Sequence, residues 1–476
     1  MMQALAPIFP EIILSVTLCV ALLATVYGQR VCRCMPLGLT MIGLAATFAM
    51  ICLFYPHHLK FGFDQMLVFD PLSGLLKAVM VLFTGFVFVL SRRYVADREM
   101  PSGEFYVLAS LSLLGMMFMV SSNHFLVLYL GLELHTLPLM AMVALRRDSA
   151  NAHEAAIKYF ALSALASGML LYGVSLLYGA TGHLDFVSIA QFLQQQGAHN
   201  GMLLSMSLVF IVVSLAFKLG MVPFHMWVPD VYDGAPTAVT LFMSSVPKIA
   251  GLGLAMRVLG AAMPSMAAHW QSLFIIMAVL SMLLGNLIAI AQTNIRRLLA
   301  YSSIAHMGYL SLGLIAATPE GFRASVYYGI VYALMSLSAF GVLVVMSKQG
   351  VEINNVSDLK GLAQRNRWLA LLMLFIVFSM AGIPPFVGFF AKLTVLMALV
   401  HAHFVWLAVF ALACAIIGAY YYLRLIRVMY FEAPAENTFD TPIHCSEQGV
   451  LNISAVALLV LGVMPSLLLP FVQGLF

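Results

Sequence analysis

Fourteen long apolar runs constrain this chain more than any other feature. They fall at about 8–28, 36–54, 67–90, 105–120, 124–145, 155–179, 202–233, 236–259, 269–291, 295–316, 322–347, 368–400, 402–426 and 450–472. A helix needs about 20 mostly apolar residues to cross a bilayer. The pattern therefore predicts an all-α polytopic membrane protein of about 14 transmembrane helices. Composition agrees, since 63% of the 476 residues are hydrophobic and only 9% are charged. A water-soluble fold keeps a polar exterior and cannot hide that much apolar surface. A soluble enzyme, a nucleic-acid binder and a disordered chain are thereby excluded. The formal charge of +4 leaves no room for a polyanion-binding surface. Of the six cysteines only Cys32 and Cys34 are close in sequence, and their spacing suits neither zinc nor an iron–sulfur cluster. The first run lacks both a preceding basic residue and a small-residue cleavage site, so it reads as a span rather than a signal peptide.

Two runs are too long for one plain crossing, and both contain proline. The seventh carries Gly220-Met-Val-Pro223 and the twelfth Gly382-Ile-Pro384-Pro385. Proline removes a backbone donor and clashes with the preceding turn, so both helices are expected to break inside the membrane. Such breaks survive only where protein or a wet cavity satisfies the freed backbone. Loop charges set the orientation. Odd-numbered loops hold 15 of the 23 Lys and Arg residues, while even-numbered loops and helix ends hold three: Lys60, Arg257 and Arg323. This bias predicts odd loops in the cytoplasm and both termini on the outer face.

The two proline breaks echo each other, and Ser122-Asn123 before span five echoes Thr293-Asn294 before span ten. These echoes define two five-helix repeats, which must be mutually inverted because five is odd. Inverted repeats with paired broken helices are a transporter layout. The expected organisation is a three-helix segment over 1–104, a first repeat over 105–260 (spans four to eight), a second over 261–430 (spans nine to thirteen), and a final helix within 431–476.

The remaining five basic residues are all lysines inside spans: Lys77, Lys158, Lys218, Lys248 and Lys392. A lysine at a helix centre costs about 2.5–3.5 kcal/mol on insertion scales. Lysine can lose its proton when desolvated, whereas arginine cannot, so this selection favours groups that titrate. Glu133 is the acid near the middle of span five, and a Glu133–Lys218 pair across spans five and seven is expected. Its bland alternative is a static buried ion pair. Lys248 lies about twelve residues, roughly 18 Å, from either helix end, beyond the reach of snorkelling. Lys158 lies four residues after Glu154 and reads nearly as well as half of a helix-end pair. Lys77 lies outside both repeats and reads either as a lipid- or partner-side contact or as a proton group. Histidines titrate near neutrality and could bridge lysines. His225 follows the first break and His306 is central in span ten, while His135 sits on a different helix face from Glu133.

At this point a family resemblance is plain. Phe217-Lys218-x4-Pro223-Phe224-His225-x-Trp227-x-Pro229-Asp230-x-Tyr232-x-Gly234-Ala235-Pro236 resembles the antiporter-like membrane subunits of respiratory complex I. So do Gln292-Thr-Asn294-Ile-Arg-Arg-Leu-Leu-Ala-Tyr301-Ser-Ser-Ile-Ala-His306-Met-Gly308-Tyr309, Gly131-Leu-Glu133-Leu and Ala381-Gly-Ile-Pro-x3-Gly-Phe-x2-Lys392. The similarity covers nearly the whole chain. Of the three related types, Lys392 argues against the M type. The absence of a long lateral helix after span fourteen argues against the L type, and Val231-Tyr232-Asp-Gly234-Ala235-Pro236 looks like the N type. His135 departs from the aliphatic residue the family pattern implies there, and Lys77 matches no motif of the family.

The resemblance implies proton pumping through Glu133, Lys158, Lys218, His225, Lys248, His306 and Lys392, driven by NADH oxidation and quinone reduction elsewhere. It implies no cofactor in this chain, with FMN, iron–sulfur clusters and quinone in partner subunits. The implied partners are other antiporter-like and small membrane-arm subunits together with lipids, in a bacterial inner membrane. The residues agree on one independent ground: the chain has no glycine-rich nucleotide loop, cysteine cluster or flavin signature. Two other classes remain open, a subunit of a multi-subunit sodium/proton antiporter and a non-transporting scaffold or haem-binding anchor. Sodium needs oxygen ligands, which deep lysines do not supply.

Overall fold

A computed structural model describes residues 8–27, 35–56, 58–195, 201–347, 351–434 and 444–475. Cys32, Cys34, Arg30, Arg33 and Lys348 lie outside the described residues. Among the described residues, thirteen helices are long and apolar enough to cross a membrane. The fourteenth crossing is the twelfth span, built from the two shorter helices Arg367–Ala381 and Val387–His401. The seventh is likewise in two pieces, Met202–Leu219 and Trp227–Gly234. The fold is thus all-α, with about fourteen crossings, two inverted five-helix repeats and breaks in spans seven and twelve.

Each break has the same local cause. Gly220 and Gly382 end the first half-helix in the left-handed region, at φ 80° and 82°, where a Cβ is disfavoured. Prolines 223, 384 and 385 then prevent the helix from resuming at once. Span three starts later than the apolar run suggested. Leu67–Phe69 pairs with Lys60–Gly62 as a short antiparallel hairpin. Asp70 then caps the helix Pro71–Asp97, accepting from the Ser73 N–H at 2.9 Å. Proline at the first helical position suits that start. Spans eight (Thr237–Ala262), ten (Ile295–Ala316) and eleven (Pro319–Met346) are buried nearly all round and form the centre of the molecule.

Two further observations bear on the repeats and the alternation of faces. Just before span five, His124 forms an isolated β-bridge with Asp185. Just before span ten, Asn294 forms one with Asn355, and both bridges join residues 61 apart. The two copies thus enter the membrane through the same local fold. The ion pairs also respect loop parity. Arg98 and Arg146 meet Glu352, Lys158 and Arg297 meet Asp230, and Lys360 meets Glu432, all at ends flanking odd loops. Asp70 meets Arg257 and His401 meets Glu320 at the opposite ends. A missed or extra span would have crossed these pairs over. Arg257, read from sequence as a helix-end loop charge, is buried at 7% exposure. Burial is tolerated because Asp70 takes two of its N–H groups at 2.6 and 2.8 Å and the Val120 carbonyl takes a third at 2.8 Å.

Candidate functional site

A helix that stops inside the membrane leaves carbonyls unpaired, and its C-terminal end carries about half a negative charge. In the seventh span those carbonyls are used in two ways. The Trp227 ring N–H donates to the Phe217 carbonyl at 3.0 Å. Lys248, reaching across from the neighbouring eighth span, donates to the Leu219 carbonyl at 2.7 Å, with its ammonium 5.3 Å from the Trp227 ring centre. Only 2% of Lys248 is exposed.

Lys218, one residue before Leu219, points the other way. Its ammonium donates to the hydroxyls of Thr136 in span five and Ser163 in span six at 3.0 and 3.1 Å. A cavity of about 20 Å³, lined by Lys218, Lys248, Tyr159, Trp227 and His135, joins the two lysines. That is room for about one water. His135 is fixed there by the Ser112 hydroxyl, 2.8 Å from its Nδ1.

The second break repeats the lysine seat with a different lysine. Lys392, on the second half of the same broken helix, folds back onto the first half. It donates to the Met380 and Ala381 carbonyls at 3.2 and 2.8 Å. Its ammonium also lies 5.2 Å from the Tyr309 ring centre. Tyr309 packs against His306, which is 2% exposed and held at both ring nitrogens: Nδ1 is 2.7 Å from the Tyr328 hydroxyl and Nε2 3.1 Å from that of Tyr422. The Tyr422 hydroxyl in turn lies 2.5 Å from that of Ser302.

The other expected site residues are less centrally placed. Glu133 makes no direct ion pair with Lys218. One of its oxygens is buried without a hydrogen-bond partner, and Tyr129, one turn earlier, lies beside its carboxylate. The expected contact fails because Lys218 is satisfied by two nearer hydroxyls. Lys158 is 44% exposed and bridges Glu154 and Asp230 at 2.8 and 3.0 Å. It borders a polar vestibule of about 340 Å³, lined also by Asp233, Asn294, Arg296 and Arg297, on the odd-loop face. His225 is half-buried, with Nδ1 unpartnered. Lys77 is paired with Glu11, 2.5 Å away and 2% exposed. Sequence reasoning missed Glu11 because it sits near the start of span one, where a carboxylate reads as a solvated end.

The comparisons with known proteins agree with this architecture. Residues 122–418 match the family described as "NADH:quinone oxidoreductase/Mrp antiporter, TM". The chain is 46% identical to NADH-quinone oxidoreductase subunit N of Thioalkalivibrio sulfidiphilus, covering 98% of this chain and 97% of that one. It is 47% identical to the protein of the same name from Nitrosomonas europaea, over 97% and 96%. Among solved structures it superposes on a chain of respiratory complex I from Thermus thermophilus with bound aureothin, with TM-score 0.84, 32% identity, and coverage of 98% and 100%. A chain of the Mrp complex from Dietzia sp. DQ12-45-1b shares the fold at TM-score 0.87 and 20% identity, over 100% and 97%.

Proposed function

The chain belongs to the NADH:quinone oxidoreductase/Mrp antiporter membrane family, and from that premise we propose that it is a proton-translocating membrane-arm subunit of an NADH:quinone oxidoreductase. Its relatives carry the name of that enzyme's subunit N. One observation carries the reading most. Two lysines deep in the molecule, Lys248 and Lys392, are each seated on the carbonyl end of a broken half-helix rather than on a carboxylate. A carbonyl seat holds an ammonium through partial charge alone. The proton can therefore leave without abandoning a full counter-charge.

In this reading protons gather in the vestibule at Lys158 and Asp230 and pass the Tyr159–Trp227 wall to the cavity between Lys218 and Lys248. They then cross to His306 and Lys392 in the second repeat. Glu133 sets the field at Lys218 without touching it, and His225 flanks the first break. Coupling energy comes from partner subunits that hold the FMN, iron–sulfur clusters and quinone. The oxygens around these lysines are already taken by ammonium groups, whose charge repels a sodium ion, so the ion is the proton. The setting is a bacterial inner membrane with both termini on the periplasmic face, among other antiporter-like and small membrane subunits. A reporter fused at Phe476 and active only in the cytoplasm would overturn that orientation.

The relay is tested at Lys218 in the intact complex reconstituted in vesicles. Lys218→Ala lowers NADH-driven acidification more than it lowers assembly. Lys218→Arg also fails, because guanidinium keeps its proton. An arginine variant that pumps normally would reduce Lys218 to a structural cation.

A further inference from the structure

The lysine cavity of the first repeat and the His306 cluster of the second are separated by the packed faces of spans seven, eight, ten and eleven, and a proton passing between them needs carriers there. Span eleven presents Tyr328, Tyr332, Ser336 and Phe340 at four-residue spacing, hence on one face. Tyr328 holds His306 Nδ1, the Tyr332 ring lies 5.1 Å from the His306 ring, and Phe340 packs edge-on against Tyr232 at 5.9 Å. This face therefore runs from His306 to Tyr232, on the short second half of broken span seven. On span eight Thr240, Ser244 and Lys248 share another face by the same spacing. The Thr240 hydroxyl donates to the Tyr232 carbonyl at 3.1 Å.

Tyr232 and Ser303 stand where these faces meet, at 0% and 1% exposure. Both hydroxyls are buried, and neither makes a well-aligned hydrogen bond. They lie beside each other, and Ser303 also lies beside the Tyr332 hydroxyl. A buried hydroxyl left unpaired costs about 1–3 kcal/mol, and phenylalanine and alanine would fill the same space without that cost. Unpaired groups in a native core call for a reason beyond packing.

We propose that Tyr232, Ser303 and Tyr332 form a hydroxyl bridge that carries the proton between Lys248 in the first repeat and His306 in the second. The inference rests on the relay reading above and names the carriers of its lateral step. Each hydroxyl accepts a proton on a lone pair while releasing its own O–H proton to the next oxygen. No charge is stored, and rotation of the O–H back to its first direction resets the carrier. An unpartnered hydroxyl is free to make that rotation. The bridge thus joins the two repeats through neutral groups, unlike the lysines at its ends.

The test uses the intact complex in vesicles, with NADH oxidation and internal acidification followed together. Tyr232→Phe removes one oxygen and keeps the ring against Trp227 and Phe340. It should lower protons moved per NADH about a hundredfold, the low end of what a proton-transfer group contributes. Ser303→Ala should do the same. Tyr327→Phe is the matched control. It removes a comparably buried, unpartnered hydroxyl from span eleven, off the bridging face, and should pump as the unaltered complex does. In D₂O the residual pumping of Tyr232→Phe should slow more than that of the unaltered complex, a signature that misfolding would not give. Normal pumping by a Tyr232→Phe/Ser303→Ala double variant, beside failed pumping by Lys218→Ala, would overturn the bridge and leave the relay standing. Normal pumping by Lys218→Ala as well would overturn the relay itself. Equal losses in Tyr327→Phe and Tyr232→Phe would assign these hydroxyls to packing and overturn the bridge.

Discussion

The two broken helices end their first halves alike and then diverge. Both stop at a left-handed glycine and both seat a lysine on the carbonyls just before it. In span seven that lysine comes from the neighbouring helix, so Lys218, two residues before the cap, is free to turn toward Thr136 and Ser163. In span twelve the lysine comes from the helix's own second half, which is 15 residues long against eight in span seven. The first break thus gathers two lysines around one cavity, and the second holds one lysine beside a tyrosine-bound histidine. A carbonyl end is a general seat for an ammonium; which lysine fills it depends on which helix can reach.

This difference makes the second break the more fragile to loss of its lysine. Lys392→Met should lower pumping by about two orders of magnitude or more, as expected for removing a proton-transfer group with no substitute. Lys248→Met should cost less, about tenfold, because Lys218 faces the same cavity and water can bridge from it. Acidification per NADH oxidised measures both, and equal losses would break the comparison.

Lys77 supplies the contrast case, a buried lysine outside both repeats and paired with a carboxylate instead of carbonyls. Removing one partner of a buried ion pair costs about 3–5 kcal/mol, because it strands the other charge. Glu11→Ala should therefore sharply reduce the yield and thermal stability of the chain in detergent. Each complex that does assemble should pump normally. A pumping defect without a stability loss would move Lys77 into the relay.

The caps themselves differ in tolerance. A non-glycine residue in the left-handed region costs about 1–2 kcal/mol, which Gly220→Ala and Gly382→Ala share. Surroundings then separate them. A Cβ at 220 would meet the branched Val228 side chain at 2.8 Å and the Lys248 ammonium at 3.2 Å, whereas at 382 it meets the flexible Lys392 stem at 2.9 Å. Gly220→Ala should be the less stable variant in thermal unfolding and should displace Lys248 from the Leu219 carbonyl. The reverse order would show that Lys392 cannot shift.

Much of this was legible in sequence, for definite reasons. Span length, proline breaks and loop charge are one-dimensional signals, so the crossings, both breaks and the inverted repeats could be read directly. Facing was not legible. A span that is apolar all round marks no side as inward, so nothing placed Thr136 and Ser163 nearer Lys218 than Glu133. His135 lies on a different face of span five from Glu133, and that face lines the lysine cavity, which its sequence position alone does not show. Tyr328, Tyr332 and Ser336 do carry a four-residue spacing in sequence, but tyrosine and serine are common in spans, and only the placement of His306 gives the spacing meaning.

The smallest expected effect lies where each repeat enters the membrane, at the two matched β-bridges. In the first repeat the Asp185 side chain accepts from the Ser188 N–H at 2.8 Å, starting the short helix Phe186–Gln195. In the second repeat Asn355 and Asp358 share that task as a reciprocal capping box. Partial burial works against the Asp185 carboxylate, but the Ser188 hydrogen bonds outweigh it and hold its pKa below the ordinary carboxylate value. A depressed folded-state pKa contributes stability above the unfolded pKa, about 4, and loses it as pH falls through the folded value. Asp185→Asn keeps the acceptor and removes the charge. It should cost a few tenths of a kcal/mol at pH 7, the usual worth of an anion at an exposed helix start. That deficit should shrink below about pH 4 as Asp185 in the unaltered chain protonates. Thermal unfolding of the two proteins at pH 7 and pH 3.5 measures it. A deficit that grows in acid would mean that Asp185 is held by something other than its cap, and the likeness of the two entry segments would then be one of backbone alone.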